Sequence, residues 1–400
     1  MLKPKSLFTL FVVLMWLISG CSGATPAATP TATRTPEPSA TPIPPTPTVT
    51  ETPVPPTPTV TPEVVEVTPY PPDVNPLTGL KVEDETMLDH APLAIKVSNS
   101  PAVRPQSGLA TADIVFEHYA EGGITRFTAI FYGDYPERVG SVRSGRLIDL
   151  EIPAMYHGLF AFSGMSGGVK ERFRESDLFP NQVATPDFGV GQPYFYRVSR
   201  EGLAFEHTLF ADPMALRDLA QERGVDERPD FPSLMAFSET VPEGAVVDDV
   251  SYAEVNYLPT VCTAQWTYDA ETGRWARQSA GAVHTDYLTG EQLTAANVVL
   301  IFAHHVETEI WEEMIGDQSN WKRSIQIQAW GSGSALVLRD GKMLQAYWKR
   351  ENRDEMLTFW DGNGHPLPLK PGNSWFQMIP LDVPAEEYEE GMYRFNPRDQ

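Results

Sequence analysis

The sequence predicts an α+β fold, in which an N-terminal mixed α/β domain is followed by a mainly antiparallel β domain. Three observations predict this class. In the first half of the folding region, short apolar strand-like runs alternate with helix-like segments. In the second half, strand-like runs recur at short spacing around Asp/Gly turns, which is typical of antiparallel sheets. About 325 residues follow a Pro/Thr-rich N-terminal stretch, which is enough chain for two domains with cores of their own.

The first 21 residues have the features of an export signal. Lys3 and Lys5 give a positive start, and Leu7–Ile18 is an apolar run too short to span a membrane comfortably. The run ends in L-I-S-G-C, which resembles a bacterial lipobox and makes Cys21 the predicted lipidation site. The alternative is an ordinary signal peptide that contains a cysteine by chance. We expect an exported protein, lipid-anchored to the outer face of the cell membrane.

Residues 22–72 are predicted to form a disordered stalk. The segment is rich in Pro, Thr and Ala, and P-P-T-P-T-V-T occurs twice, at Pro44–Thr50 and Pro55–Thr61. Such a composition cannot bury enough apolar surface to fold, and proline keeps the chain extended. Fifty residues at about 3.1 Å each would reach on the order of 150 Å. The stalk would therefore hold the folded region away from the membrane.

Composition also limits the function classes. The formal net charge of −23 argues against nucleic acid as a partner. If Cys21 carries a lipid, Cys262 has no disulfide partner, so the core must hold the fold together. Cys262 has apolar neighbours, and we interpret it as a buried, unreactive thiol rather than a nucleophile. No complete cofactor or catalytic motif is present, so we expect no cofactor.

The first domain is predicted over 73–225. Gly122 and Gly123 tolerate the positive φ of a tight turn, so the apolar runs on either side should form a hairpin. Asp212 and Pro213 are a typical cap and first-turn pair for a helix. The expected strands lie at 92–99, 113–120, 124–132 and 158–163. The expected helices lie at 146–155, 169–175 and 212–223.

A polar linker is predicted at 226–232 and the mainly β domain at 233–383. Strand–turn–strand patterns occur at Trp266–Trp275 and Ala335–Trp348, and a β-rich apolar run occurs at Ala296–Val306. The last segment, 384–400, contains several glutamates and is predicted to be a solvated acidic tail.

Arginines are concentrated around the predicted hairpin. Between Val97 and Val169 the chain has five arginines and no lysine. The planar guanidinium binds carboxylate or phosphate with two parallel hydrogen bonds, which lysine cannot do. We therefore consider Arg126, Arg143 and Arg146 candidate ligand-binding residues. Arg143 and Arg146 would share a helical face if a helix begins at Arg143.

Two carboxylates and one serine complete this candidate site. Strand alternation makes a Glu117–Arg126 pair across the hairpin plausible, either as a structural ion pair or to orient Arg126 for a ligand. Glu117 or Glu121 could instead act as a general acid or base. Ser166 lies in a glycine-rich turn before a predicted helix, where backbone N–H groups can bind an anion. A plain tight connection is the alternative for that turn.

One pattern in the second half could form a metal site. His305, Glu307 and Glu309 would share one face of a strand, and such side chains can ligate zinc. The same pattern is typical of a strand that emerges into solvent. We favour the second interpretation and predict no metal.

Several segments resemble the YerB-like family of bacterial lipoproteins. In the first half they are N-P-L-T-G-L at Asn75–Leu80, R-P-Q-S-G-L-A-T-A-D-I-V-F-E at Arg104–Glu117, E-G-G-I-T-R-F at Glu121–Phe127 and V-G-S-V-R-S-G-R at Val139–Arg146. In the second half they include H-T-D-Y-L-T-G-E-Q-L-T-A-A-N-V-V at His284–Val299, G-S-G-S-A-L-V-L-R-D-G-K at Gly331–Lys342 and L-K-P-G-N-S-W at Leu369–Trp375.

The resemblance implies an exported lipoprotein with an N-terminal and a C-terminal domain, both of undetermined function. It implies no catalytic residue. His207 matches a histidine of a Pro-His-Asn-Leu-Tyr-like segment of the family, although its neighbours differ here. His207 is therefore added to the candidate ligand-binding residues.

Three functional hypotheses follow. The first is a surface-anchored binding module for an anionic envelope component, such as a glycan, a wall polymer or a peptide. The second is an envelope hydrolase or transferase that uses Glu117 or Glu121 as acid or base. The third is a scaffold lipoprotein that binds another protein through Trp275, Trp348 and Trp375, although such tryptophans are more typical of a core. The oligomeric state stays open.

Overall fold

The computed structural model describes residues 67, 69–314, 316–318 and 321–397, all within one compact unit, Val60–Gln400. The predicted export signal, Cys21 and most of the predicted stalk lie outside the described residues. The described chain is broadly α+β and mostly β, with strands in its first half and a β-rich second half. None of its helices is both long enough and apolar enough to span a bilayer.

The strands and α-helices are numbered here in chain order. The strands of the first half are β1 (Val74–Asn75), β2 (Leu80–Lys81), β3 (Leu93–Ser98), β4 (Ile114–Tyr119), β5 (Thr125–Phe131), β6 (Val139–Gly140), β7 (Leu159–Ala161), β8 (Val183–Ala184), β9 (Phe195–Arg197) and β10 (Leu209–Ala211). The helices are α1 (Ile152–Met155), α2 (Gly167–Arg174) and α3 (Pro213–Glu222). The strands of the second half are β11 (Val246–Asp249), β12 (Tyr252–Leu258), β13 (Cys262–Asp269), β14 (Arg274–Ser279), β15 (Ala282–Val283), β16 (Thr294–Ala295), β17 (Asn297–Ala303), β18 (His305–Glu313), β19 (Lys322–Ile327), β20 (Gly331–Arg339), β21 (Lys342–Arg350), β22 (Thr358–Trp360), β23 (Ser374–Pro380), β24 (Glu386–Glu389) and β25 (Met392–Phe395).

A sheet of 11 strands runs through both halves of the chain. Its main path is β11-β21-β20-β17-β23-β4-β5-β3-β7-β8, and β22 pairs with β21. The predicted hairpin is present as the antiparallel pair β4–β5. The two halves meet where β23 lies parallel to β4, with Phe376 opposite Phe116. The segments assigned to separate domains on either side of 226–232 therefore share one sheet.

A second sheet has seven strands, in the order β15-β14-β13-β12-β25-β24 with β16 paired to β14. Strands β24 and β25 lie within the segment predicted to be a solvated acidic tail. The glutamates of β24 are exposed, but Phe395 of β25 is fully buried. Strands β25 and β24 of this segment thus complete one side of the second sheet, with β24 at its edge and the glutamates of β24 in solvent.

The apolar core lies on both faces of the large sheet. Along β3, Ile95 and Val97 belong to one buried cluster, whereas Ala94 belongs to another. Neighbouring side chains on a strand point to opposite faces, so a strand buried on both faces is a continuous apolar run. The first cluster includes Trp275 and Trp375, and the second includes Trp348. These three tryptophans are core residues rather than exposed anchors for a partner.

Helix α3 begins as its sequence predicts, with Pro213 in the first turn and the Asp212 carboxylate accepting a hydrogen bond from Ala215 N at 3.0 Å. We expect Asp212→Ala to lower the free energy of unfolding by about 1 kcal/mol, because that N–H loses its acceptor. Urea denaturation would measure the change. Asp218→Ala, at an exposed site on the same helix, should leave stability unchanged within error. Equal losses in both variants would contradict the capping role.

Candidate functional site

Four of the predicted site residues line one pocket beside the turn of the β4–β5 hairpin. They are Glu121, Arg126, Arg143 and His207. The cavity has a volume of about 110 Å³, which is smaller than the roughly 150 Å³ cavity known to admit benzene. The other lining residues are Ser98, Ser100, Ala120, Ile124 and Thr125.

Strand pairing and backbone hydrogen bonds bring these distant residues together. The antiparallel pair β3–β5 places Ser98 opposite Arg126, so both side chains lie on the same face of the sheet. The backbone N–H of Arg143 donates to a carbonyl of β3 at 3.1 Å, which fixes that segment beside the sheet. Arg143 Nη1 then donates to the Glu206 carbonyl at 3.1 Å and holds the His207 loop at the pocket.

Glu121 joins two arginines at the pocket. Its Oε1 accepts from Arg126 Nη2 at 2.8 Å, and its Oε2 accepts from Arg146 Nε at 2.6 Å. Burial alone would raise the pKa of Glu121, but Arg126 and Arg146 outweigh burial and lower that pKa to about 2. Glu121 is therefore ionised near neutral pH and holds both guanidinium groups in place. A general acid or base should instead titrate near the working pH.

Arg143 differs from its two neighbours. Its side chain is half-buried, and among the described residues its hydrogen-bond partner is a backbone carbonyl rather than a carboxylate. Burial lowers the pKa of Arg143, yet an arginine remains charged at neutral pH. Two guanidinium groups and one carboxylate line the pocket. The nearby Glu206 carboxylate opposes the effect of burial on the pKa of Arg143, although the Arg143 side chain donates to the Glu206 backbone carbonyl rather than to that carboxylate. Arg143 thus offers donors that no carboxylate of the described chain occupies.

Arg146 lies behind the pocket rather than in its lining. Residues 143–146 are not helical, and the helical segment starts with a 3-10 turn at Leu147–Leu150. The prediction that Arg143 and Arg146 share a helical face is therefore wrong. Arg146 contacts the pocket through Glu121, and its Nη1 lies 3.7 Å from Oε2 of Glu312, whose side chain is only 2% exposed.

Glu117 is not in the pocket, and the predicted Glu117–Arg126 pair is wrong. In the hairpin, Glu117 is opposite Phe127, whereas His118 is opposite Arg126. Glu117 therefore points to the other face of the sheet. There it forms a fully buried ion pair with Arg277, in which Nη2 lies 2.8 Å from Oε2. A carboxylate with no exposed surface cannot exchange protons with a ligand arriving from solvent.

Ser166 and His305 also lie apart from the pocket lining. Ser166 Oγ accepts from Val169 N at 3.4 Å and caps the start of α2. His305 Nδ1 lies 2.9 Å from the Ala303 carbonyl. Within the described ranges, no group of three or more His, Cys, Asp or Glu side chains is placed to hold a metal ion. Cys262 is buried as predicted, and burial raises the pKa of its thiol.

The sequence did not point to a buried polar network behind the pocket. Lys96 Nζ lies 2.6 Å from His118 Nε2 and donates to Thr128 Oγ1 at 2.9 Å and to Asp149 Oδ1 at 2.8 Å. All four side chains are buried. Burial, opposed by Asp149, lowers the pKa of Lys96 to about 7. The feature of the sequence that could have indicated this network is Lys96, a lysine within the largely apolar strand β3.

The described fold places the protein in a class of mostly β proteins in which both halves of the chain contribute to one sheet. Its site is a cluster of arginines and a carboxylate beside the β4–β5 hairpin. Family models match both halves. Residues 77–226 match the N-terminal domain, and residues 253–376 the C-terminal domain, of "Protein of unknown function (DUF3048)". The chain belongs to this family, and the predicted YerB-like relationship is confirmed.

Two findings concern the relative YerB. The chain is 30% identical over 328 residues to YerB of Bacillus subtilis (strain 168), which is named as a proposed lipoprotein. The match covers 79% of this chain and 89% of that protein. The crystal structure of the YerB protein from Bacillus subtilis superposes with a TM-score of 0.61 at 26% identity. That superposition covers 76% of this chain and 96% of the crystallised chain.

Proposed function

We propose that this protein is an exported, lipid-anchored envelope protein whose pocket binds a carboxylate group of an extracytoplasmic ligand. The lipobox-like sequence at Cys21 and the relationship to YerB support the lipid anchor. The Pro/Thr-rich segment 22–72 would hold the pocket away from the outer face of the cell membrane.

The observation that carries the proposal is the guanidinium of Arg143. It reaches the pocket with donors that no carboxylate of the described chain occupies. Arg126 lies beside it and is held by Glu121, so a second guanidinium is already in position. Arginine binds carboxylates with short, charge-assisted hydrogen bonds. Two guanidinium groups and one carboxylate in the lining favour an anion such as a carboxylate, in a protein that is otherwise strongly acidic.

The two alternative functions have less support. An acid–base enzyme would need an accessible carboxylate that titrates near neutral pH. Glu117 is buried, and Glu121 is bound by two arginines that lower its pKa to about 2. A scaffold that uses the three tryptophans would need them at the surface, but they lie in the core.

We expect Arg143→Gln to weaken carboxylate binding at least tenfold, because a charge-assisted hydrogen bond contributes about 1.5–3 kcal/mol. Isothermal titration calorimetry with acetate, glucuronate and N-acetylglycylalanine would measure binding. Stability should change little, since the side chain is half-exposed and its partner is a backbone carbonyl.

The matched control is Arg172→Gln, which removes an exposed arginine from α2 and should leave binding unchanged. The proposal is wrong if the unsubstituted protein binds none of these acids. It is also wrong if Arg143→Gln binds them as tightly as the unsubstituted protein does.

A further inference from the structure

We infer that the ligand of this pocket is the free C-terminal carboxylate of a peptide whose last residue has a small side chain, and that Ile124 sets the size limit. The inference rests on the proposed function and adds the chemical class of the ligand. Three properties of the pocket support it: its volume, its lining and the surface at its rim.

The volume restricts what can enter. A cavity of about 110 Å³ is smaller than one that holds benzene, so it has room for a carboxylate and one or two further carbon atoms. A six-membered sugar ring is at least as large as benzene and does not fit inside. A terminal glycine or alanine does fit, whereas a terminal leucine exceeds the space.

The lining suits a small alkyl group beside the charge. The methyl group of Ala120 and the side chain of Ile124 lie in the same cavity as the two guanidinium groups. Much of the polar lining already has protein partners. Thr125 Oγ1 donates to a buried carboxylate at 2.8 Å, and Ser98 Oγ accepts from Ser100 N at 3.3 Å. The polar lining atoms that remain for a ligand include the Arg143 donors and His207 Nδ1, which has no hydrogen-bond partner among the described residues. A sugar acid with several hydroxyl groups has more polar groups than these can pair, and unpaired polar groups weaken binding.

The rim offers apolar surface to the rest of a peptide. Ile124 is 37% exposed although it lines the cavity. Phe205 is 70% exposed and lies two residues before His207, which also lines the pocket. The Arg197 guanidinium lies 3.5 Å from the centre of the Phe205 ring and covers one of its faces. The remaining surface is available to the side chain of the penultimate residue.

Calorimetry with four probes tests the inference on the complete folded protein. The probes are N-acetylglycylalanine, its C-terminal amide, N-acetylglycylleucine and glucuronate. We expect the alanine acid to bind, and both the amide and the leucine acid to bind at least tenfold more weakly. Ile124→Ala, at a partly exposed site, should bind the leucine acid at least fivefold more tightly than the unsubstituted protein does. The matched control is Val247→Ala, which shortens an exposed β-branched side chain outside the pocket lining and should retain the preference for alanine.

The outcomes separate this inference from the proposed function. Arg143-dependent binding of glucuronate without binding of either peptide acid would overturn the peptide assignment and leave the carboxylate site in place. Equal affinities for the acid and the amide, or for alanine and leucine, would also overturn the assignment. If neither these probes nor acetate binds in a way that depends on Arg143, both proposals are wrong. Near-UV circular dichroism would verify that each variant is folded.

Discussion

Replacing Glu117 by glutamine is expected to lower the free energy of unfolding by about 3–5 kcal/mol, because Arg277 would remain buried without its counter-ion. Both side chains are fully buried. Glu117 also accepts hydrogen bonds from four other side chains, at distances of 2.8–3.2 Å. Glutamine keeps the shape of the side chain, but it replaces one acceptor oxygen by a donor and removes the charge. Urea denaturation of the described fold would measure the loss.

The double variant Glu117→Gln/Arg277→Met separates the charge effect from general damage to the core. It removes both charges, so its loss of stability should be clearly smaller than the sum of the two single losses. A surface control is Glu171→Gln, which breaks an exposed ion pair with Arg174 and should have no measurable effect. Additive losses in the double variant would contradict the idea that the two charges stabilise each other.

The hairpin shows how far the sequence can predict this region. Two apolar runs and Gly122-Gly123 correctly predict β4, β5 and the turn between them. They do not predict the register, in which Tyr119 pairs with Thr125. A shift of one residue in register moves a side chain to the other face of the sheet. This is why Glu117 lies in the core with Arg277, whereas Glu121 in the turn contacts the arginines.

Long-range pairing sets the rest of the site and cannot be predicted from local periodicity. Strand β4 pairs with β23, and Glu117 pairs with Arg277, 160 positions along the chain. Arg143 and His207 were both candidates, but nothing local indicates that they meet. Ser98 and Ser100 are not predicted as site residues, because serines are common at strand ends. Only the pairing of β3 with β5 places Ser98 opposite Arg126. The residue types thus predict a candidate anion site, whereas the set of residues that meet in the pocket depends on the fold.

Charges of opposite sign lie next to one another in the pocket lining and behind it. Asp149 contacts Lys96, Glu121 joins Arg126 to Arg146, and Glu312 lies 3.7 Å from Arg146 Nη1. Such groups are costly to bury unless each has a partner, so removal of any one is destabilising. The ion pairs with Glu121 also hold the side chains of Arg126 and Arg146 in one orientation. We expect this cluster to keep Arg126 fixed while Arg143, whose side-chain donors bond no carboxylate within the described part of the chain, contacts the ligand.

Lowering the pH from 7 to 4 is expected to reduce the free energy of unfolding by about 3 kcal/mol through His118 alone. Burial and then the charge of Lys96 lower the pKa of His118 to about 3 in the folded protein. In the unfolded chain the imidazole takes up a proton near its ordinary pKa of 6.5. Below pH 6.5 the unfolded state therefore binds more protons, and stability is lost as the pH falls towards 3. Glu121 adds to the loss between its ordinary pKa of 4.5 and about 2, for the same reason.

Urea denaturation at pH 7, 5.5 and 4 would measure this dependence, and His118→Gln would isolate its cause. Glutamine does not titrate and can still accept a hydrogen bond from Lys96, so the variant should be less stable at pH 7 and should lose about 3 kcal/mol less than the unsubstituted protein between pH 7 and 4. The remaining dependence over this range comes in part from His284 and His305, because burial lowers the pKa of each imidazole in the folded protein. Lys96 adds little pH dependence in this range, because below its folded pKa of about 7 it is charged in both the folded and the unfolded state. His304→Gln, at an exposed site, should keep the full dependence. The same pH dependence in the His118 variant and the unsubstituted protein would show that the acid sensitivity arises elsewhere.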